Sequence, residues 1–179
     1  MMPNQDFGES LYYHTAKDAL ARAKEIERQP LNNETEFGRK KEVATVIVFS
    51  ALCLEAFINR QYFEGHIETK GNAKQKWARL PKLLDRGNAD FNEGQEPFHT
   101  FGQLIDFRNT RLIHFHPEVE GNNGWAELIG DVRLADRFFN CVQEMAEELH
   151  CLTNNRTSSS SLFHQKYTRR VSATVIIPI

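Results

Sequence analysis

The sequence predicts an all-α protein, an up-and-down bundle of four or five helices. Three observations carry this. Apolar residues recur at helical spacing along most of the chain. No alternation of apolar and polar residues, the mark of a strand, occurs before residue 170. The turn signals fall between helix-length segments, which suits antiparallel neighbours joined by short connections.

The first helix is expected from about Glu9 to Arg28, rich in Ala, Lys and Glu and broken by Pro30 and Asn32-Asn33. The second is expected from Asn33, with Glu36 three residues on as in a capping box, to about Phe63, ending near Gly65. Within it, Val43 to Leu54 carries no charge. A membrane span needs roughly 20 apolar residues. This run is shorter, so a core helix at the centre of the bundle is the expectation.

The third helix lies between Asn72 and Gly87, with Asn72 and Gln75 as its cap and Gly87 as its stop. Pro81 should kink it or divide it into two short pieces. Asn88 to Glu96 reads as a polar loop. The fourth helix begins at Pro97 and ends by His116, because the residue before Pro117 is pushed out of helical geometry. After the turn cluster Gly121-Asn122-Asn123-Gly124, the fifth runs from about Ala126 to Leu152. Its stripe is Leu128, Val132, Ala135, Phe139, Val142, Ala146 and Leu149.

Residues 1–152 thus form one bundle domain. Residues 153–179 read as a Ser-rich, mostly disordered tail, with Arg156, Lys166, Arg169 and Arg170 and no acidic residue. The 179 residues suffice for one core. Hydrophobic content is 40% and charged content 26%, so most of the chain should fold. The net charge of −2 excludes a strongly basic nucleic-acid binder as a whole, though not a local basic patch. Cys53, Cys141 and Cys151 are too few and too scattered for a disulfide scaffold, and no Cys-x2-Cys or His-x3-His spacing suggests zinc. The N-terminus has no signal-peptide core, so a cytoplasmic location is expected, without membrane attachment.

Chemistry concentrates at the end of the fourth helix. Phe98, Phe101, Ile105, Arg108 and Leu112 share one stripe, so Arg108 stands where an apolar side chain is expected. A buried guanidinium without an anion costs several kcal/mol, roughly. The internal candidate is Glu55, which interrupts the apolar face of the second helix; the external one is a substrate phosphate. His114, in the last helical turn, is placed for acid–base work, and the helix C-terminus favours its cationic form. Six residues along an ideal helix rotate about 600°, leaving Arg108 and His114 roughly 120° apart. They meet at one phosphate if the helix bends near Pro117 or if a twofold dimer brings two copies together.

The stretch Phe107-Arg108-Asn109-Thr110-Arg111-Leu112-Ile113-His114 resembles the Arg-x5-His signature of the HEPN family, small all-helical domains that include many metal-independent ribonucleases of toxin–antitoxin and antiviral systems. The segment from Ser50 to Asn59 resembles the buried second helix of HEPN-like bacterial proteins. The resemblance implies a homodimer with two motifs facing a shared cleft. Arg108 would bind phosphate, His114 would act as acid–base catalyst, and Asn109 and Glu55 would orient them, with no cofactor. RNA is the implied substrate, and an antitoxin or defence protein the implied regulator. In the toxin branch modified by a nucleotidyltransferase antitoxin, a Tyr stands two residues after the His; here that position is His116, so regulation by AMP transfer is not expected.

Plainer readings stand beside these. Arg108 and Glu55 can be a structural ion pair, and His114 a C-capping histidine. Asn109 can be a surface residue, and Arg111 either solvated or facing a phosphate. Lys74, Lys76 and Arg79 belong to a basic third helix that is either a solvated face or a track for an RNA backbone. Trp77 among them is read as core, with base stacking as the other use. The alternative function is therefore a non-catalytic HEPN-like module that binds a protein, nucleotide or RNA, and a third is a purely structural bundle.

Overall fold

A computed structural model describes residues 8–68, 70–85, 90–113 and 129–153. Among them the chain is all-helical, with helices α1 (Gly8–Glu27), α2 (Asn33–Glu64), α3 (Ala73–Asp85), α4 (Phe98–Phe107) and α5 (Val132–Leu152) forming a bundle. From residue 154 on, the segment read as a tail lies outside the described residues.

The long second helix takes the central place expected of it. It packs against α1, α3, α4 and α5. Its buried side chains, Val43, Val46, Ile47, Leu54, Phe57 and Ile58 among them, occupy more than one stripe because neighbours cover it from several sides. By length and composition α2 could also cross a membrane, but half of its most apolar window is already buried inside the bundle. α1 packs along it and buries Tyr13, Ala16, Ala19, Leu20 and Ala23, with the Tyr13 ring centroid 5.0 Å from that of Phe139 on α5. The alanines leave room for close approach of the two helices. Glu9, buried at the start of α1, pairs with Arg60 of α2, and the Cys53 thiol donates to the Glu9 carbonyl at 3.2 Å.

The cap of α2 sits one residue earlier than expected. Asn32, in extended geometry, accepts from the Thr35 amide at 2.8 Å, and the Thr35 hydroxyl accepts from the Asn32 amide at 2.9 Å. The Thr side chain thus takes the role assigned to Glu36. At α3 the expected cap is present: Asn72 and Gln75 exchange the same pair of bonds at 3.0 and 3.1 Å. Gly71 precedes it at φ +102°, and a Cβ there would lie 2.5 Å from Gln75 Oε1. Pro81 does not divide α3, which runs on to Asp85. Trp77 and Leu80, both fully buried, hold that helix to the core across the missing ladder bond.

An aromatic cluster joins α2, α3 and α4. Trp77 stacks on Phe57 with centroids 5.7 Å apart and touches Phe101 at 5.9 Å and Phe91 at 5.8 Å. Trp77 is therefore core, not a platform for a base. Phe91 lies in the segment read as a polar loop, yet it is buried against Phe98.

α5 starts later than about Ala126. Ile129 and Gly130 form a turn, and Asp131 caps the helix by accepting from the Arg133 and Leu134 amides. Val132, Ala135, Val142, Ala146 and Leu149 of the expected stripe are buried, Phe139 is half-buried, and Leu128 lies outside the described residues. Phe138, Cys141 and Met145 widen the stripe, as a helix facing several neighbours requires. Thr153, assigned to the tail, is instead a buried cap whose hydroxyl donates to the Leu149 carbonyl at 2.7 Å.

Replacing Trp77 by Ala should lower stability by about 3–5 kcal/mol, since it empties the centre of the aromatic cluster. Gly71→Ala should cost about 1 kcal/mol through backbone strain and the displacement of Gln75 from its cap. Urea denaturation followed by circular dichroism measures both; equal effects would contradict the central role given to Trp77.

Candidate functional site

Beyond Phe107 the fourth helix changes character. Arg108–Ile113 is a π-helix, where an α-helix was expected to continue to His116. Within it the Thr110 hydroxyl donates to the Asp106 carbonyl at 2.7 Å, a back-bond that Thr15 and Thr45 also make inside α1 and α2. Single-turn π segments are rare and occur often at functional sites.

Arg108 opens this segment and is 8% exposed. It continues the buried stripe of Phe98, Phe101 and Ile105, as expected. Its Nη2 donates to Glu55 Oε1 at 2.7 Å. The oxygen Oδ1 of Asn109 accepts from Nε at 3.1 Å and from Nη2 at 3.0 Å. Adjacent residues of an ideal α-helix project about 100° apart, so Asn109 turns back to reach its neighbour. The internal anion is thus Glu55, and Asn109 contacts the guanidinium rather than only solvent. His114 and His116 lie outside the described residues, which end on this side at Ile113.

The basic residues of α3 divide between the two helices that carry this pair. Lys76 donates to Asn59, one turn beyond Glu55 on α2, at 2.7 Å. Lys74 pairs with Asp106, two residues before Arg108, at 2.7 Å. Arg79 is exposed and forms no ion pair among the described residues. Arg111 is half-buried on the π segment. Glu55, Arg108 and Asn109 are therefore in direct contact, and Lys74 and Lys76 are tied to Asp106 and Asn59 on the helices that carry them.

A second feature escaped the sequence. Between α4 and α5 lies a cavity of about 760 Å³, lined by Glu96, Thr100, Arg137, Asn140, Glu144 and Cys151 among others. Arg137 spans it, donating to Thr100 Oγ1 at 2.7 and 3.1 Å and to Glu96 Oε1 at 3.1 Å. Hydrogen bonds from Thr100, together with Arg137, hold the Glu96 carboxyl below its ordinary range. Partial desolvation at the groove wall, and then the neighbouring carboxylates of Glu96 and Glu147, push the exposed Glu144 up, against the pull of Arg137. The groove depends on α4 lying against α5, and no spacing within either helix signals it. Among the described residues, no group of three or more His, Cys, Asp or Glu is placed to hold a metal ion.

No family model matches the chain, and no curated protein or solved structure proves similar to it.

Glu144 generates a pH test. Its raised pKa means that its ionised form opposes folding, so any stability it contributes is present at low pH and is lost as pH rises through its folded-state value. Glu144→Gln should therefore raise the melting temperature at neutral pH, with the gain vanishing as pH falls below the usual carboxylate range. A gain equal at all pH values would sink this account.

Proposed function

We propose that the chain is a metal-independent endoribonuclease of HEPN type: an up-and-down, HEPN-like bundle acting as a cytoplasmic homodimer without cofactor. Its setting would be defence, stress response or a toxin–antitoxin pair, with a partner protein as regulator. The observation that carries this reading is the buried Arg108 guanidinium, clamped by Asn109 and Glu55 in a π-helical turn. A further support is the sequence order, which puts His114 directly after that turn.

The chemistry follows from the two groups. His114, as base, takes the proton from a ribose 2′-OH. That oxygen attacks the adjacent phosphorus while Arg108 stabilises charge on the non-bridging oxygens. The P–O5′ bond breaks and the 5′-oxygen receives a proton from imidazolium, leaving a 2′,3′-cyclic phosphate and a 5′-OH. Lys74, Lys76, Arg79 and Arg111 supply backbone contacts to RNA.

One observation favours the second reading, a non-catalytic RNA- or protein-binding module. Glu55 already neutralises Arg108, so an ion pair alone accounts for the buried charge.

Purified protein incubated with RNA in EDTA should yield fragments with 2′,3′-cyclic phosphate ends. Arg108→Ala and Arg108→Lys should reduce the rate by about 100-fold or more, and His114→Ala by a similar factor. RNA retained without cleavage, and released by Lys74→Met with Lys76→Met, would establish the binding module instead. Absence of both cleavage and retention would leave a structural bundle.

A further inference from the structure

A guanidinium presents two N–H forks, and strong arginine–carboxylate pairs fill one fork with both carboxylate oxygens. Arg108 is not held that way. Its Nε and Nη2 fork is taken by a single neutral oxygen, Asn109 Oδ1. Glu55 adds one oxygen, on Nη2 only. Nη1 has no acceptor among the described residues. The two partners also differ in access to water: the Arg108 side chain is 10% exposed and that of Glu55 28%. The carboxylate is the outer member, on a side chain with several rotatable bonds, and it can turn to solvent without uncovering the core.

We infer that Glu55 is a built-in stand-in for a phosphodiester, and that an RNA phosphate enters the site by displacing it. This rests on the reading of Arg108 as the phosphate ligand. The two non-bridging oxygens of a phosphodiester span Nη1 and Nη2, the fork that Glu55 fills by half. Asn109 keeps the guanidinium oriented while the anions exchange, because its amide is neutral and does not compete with either. Glu55 thereby taxes binding, since only the fraction of molecules with the carboxylate withdrawn accepts RNA. It also spares the empty protein the cost of a buried unpaired cation.

Affinity for a short 2′-O-methyl oligoribonucleotide tests this, because that probe lacks the attacking 2′-OH and reports binding without cleavage. Fluorescence anisotropy at fixed ionic strength should show Glu55→Gln binding about tenfold more tightly than the unaltered protein. Glu55→Asp, which withdraws the carboxylate by one methylene, should fall between them and serves if Glu55→Gln does not fold. The gain should disappear when Arg108→Met is added to either variant. Equal or weaker binding by the folded Glu55 variants overturns the stand-in, as does a gain that survives Arg108→Met. The same proteins, assayed on unmodified RNA in EDTA, separate the two ideas. Tighter binding with no cleavage by any of them keeps the displacement and removes the nuclease. Cleavage by the unaltered protein with no gain in Glu55→Gln keeps the nuclease and removes the displacement. Neither binding nor cleavage overturns both.

Discussion

Everything in this bundle is arranged around the need to cover α2. A helix with so many apolar side chains on several faces cannot stand at an edge in water. α1 and α5 pack along it, each with a buried face of its own, and the Trp77–Phe57–Phe101 cluster binds α3 and α4 to it. Each fully buried Leu, Ile or Phe contributes about 1.5–3 kcal/mol to this arrangement. The polar groups that break the pattern are consequently informative. Glu9 with Arg60, and Glu55 with Arg108, are two such pairs of α2 with its neighbours.

The two pairs differ in what surrounds them. Arg60 also reaches Glu64 on its own helix and lies over the Phe57 ring, so several contacts fix it. Arg108 opens the π segment, and its partners are Glu55 across the interface at 2.7 Å and the residue next to it in sequence at 3.0 and 3.1 Å. A buried charge adds less to stability than an apolar residue of the same volume would in many settings. Its presence at the junction of α2 and a π turn is what gives the functional reading its physical content.

Much of the fold was legible because local rules and tertiary packing agree there. The stripe Phe98, Phe101, Ile105, Arg108 is buried as its spacing implied, the Asn72–Gln75 cap is formed, and the uncharged run of α2 is central. The misplacements occur where a competing side chain decides. Thr35 outbids Glu36 at the cap of α2, and Asp131 sets the start of α5. Phe91 leaves a polar stretch for the aromatic cluster because Trp77 and Phe98 offer it a pocket. At the site, the Glu55–Arg108 partnership was readable from two interruptions of apolar faces. The π turn was not, since no periodicity separates a single π turn from an α turn. The α4–α5 groove was invisible for the simpler reason that its lining comes from two helices distant in sequence.

The three thiols illustrate how burial sorts chemically identical groups. Cys53 and Cys141 are sealed in the core, each donating to a backbone carbonyl, and burial pushes both well above the usual thiol range. Such sulfurs are poor nucleophiles. Cys151, on the outer face near the end of α5, is exposed. The protein therefore carries one chemically addressable sulfur. Air oxidation would join two copies through that point, so self-association is best weighed under reducing conditions, and a fluorophore or spin label attached by maleimide chemistry lands beside the α4–α5 groove without any substitution.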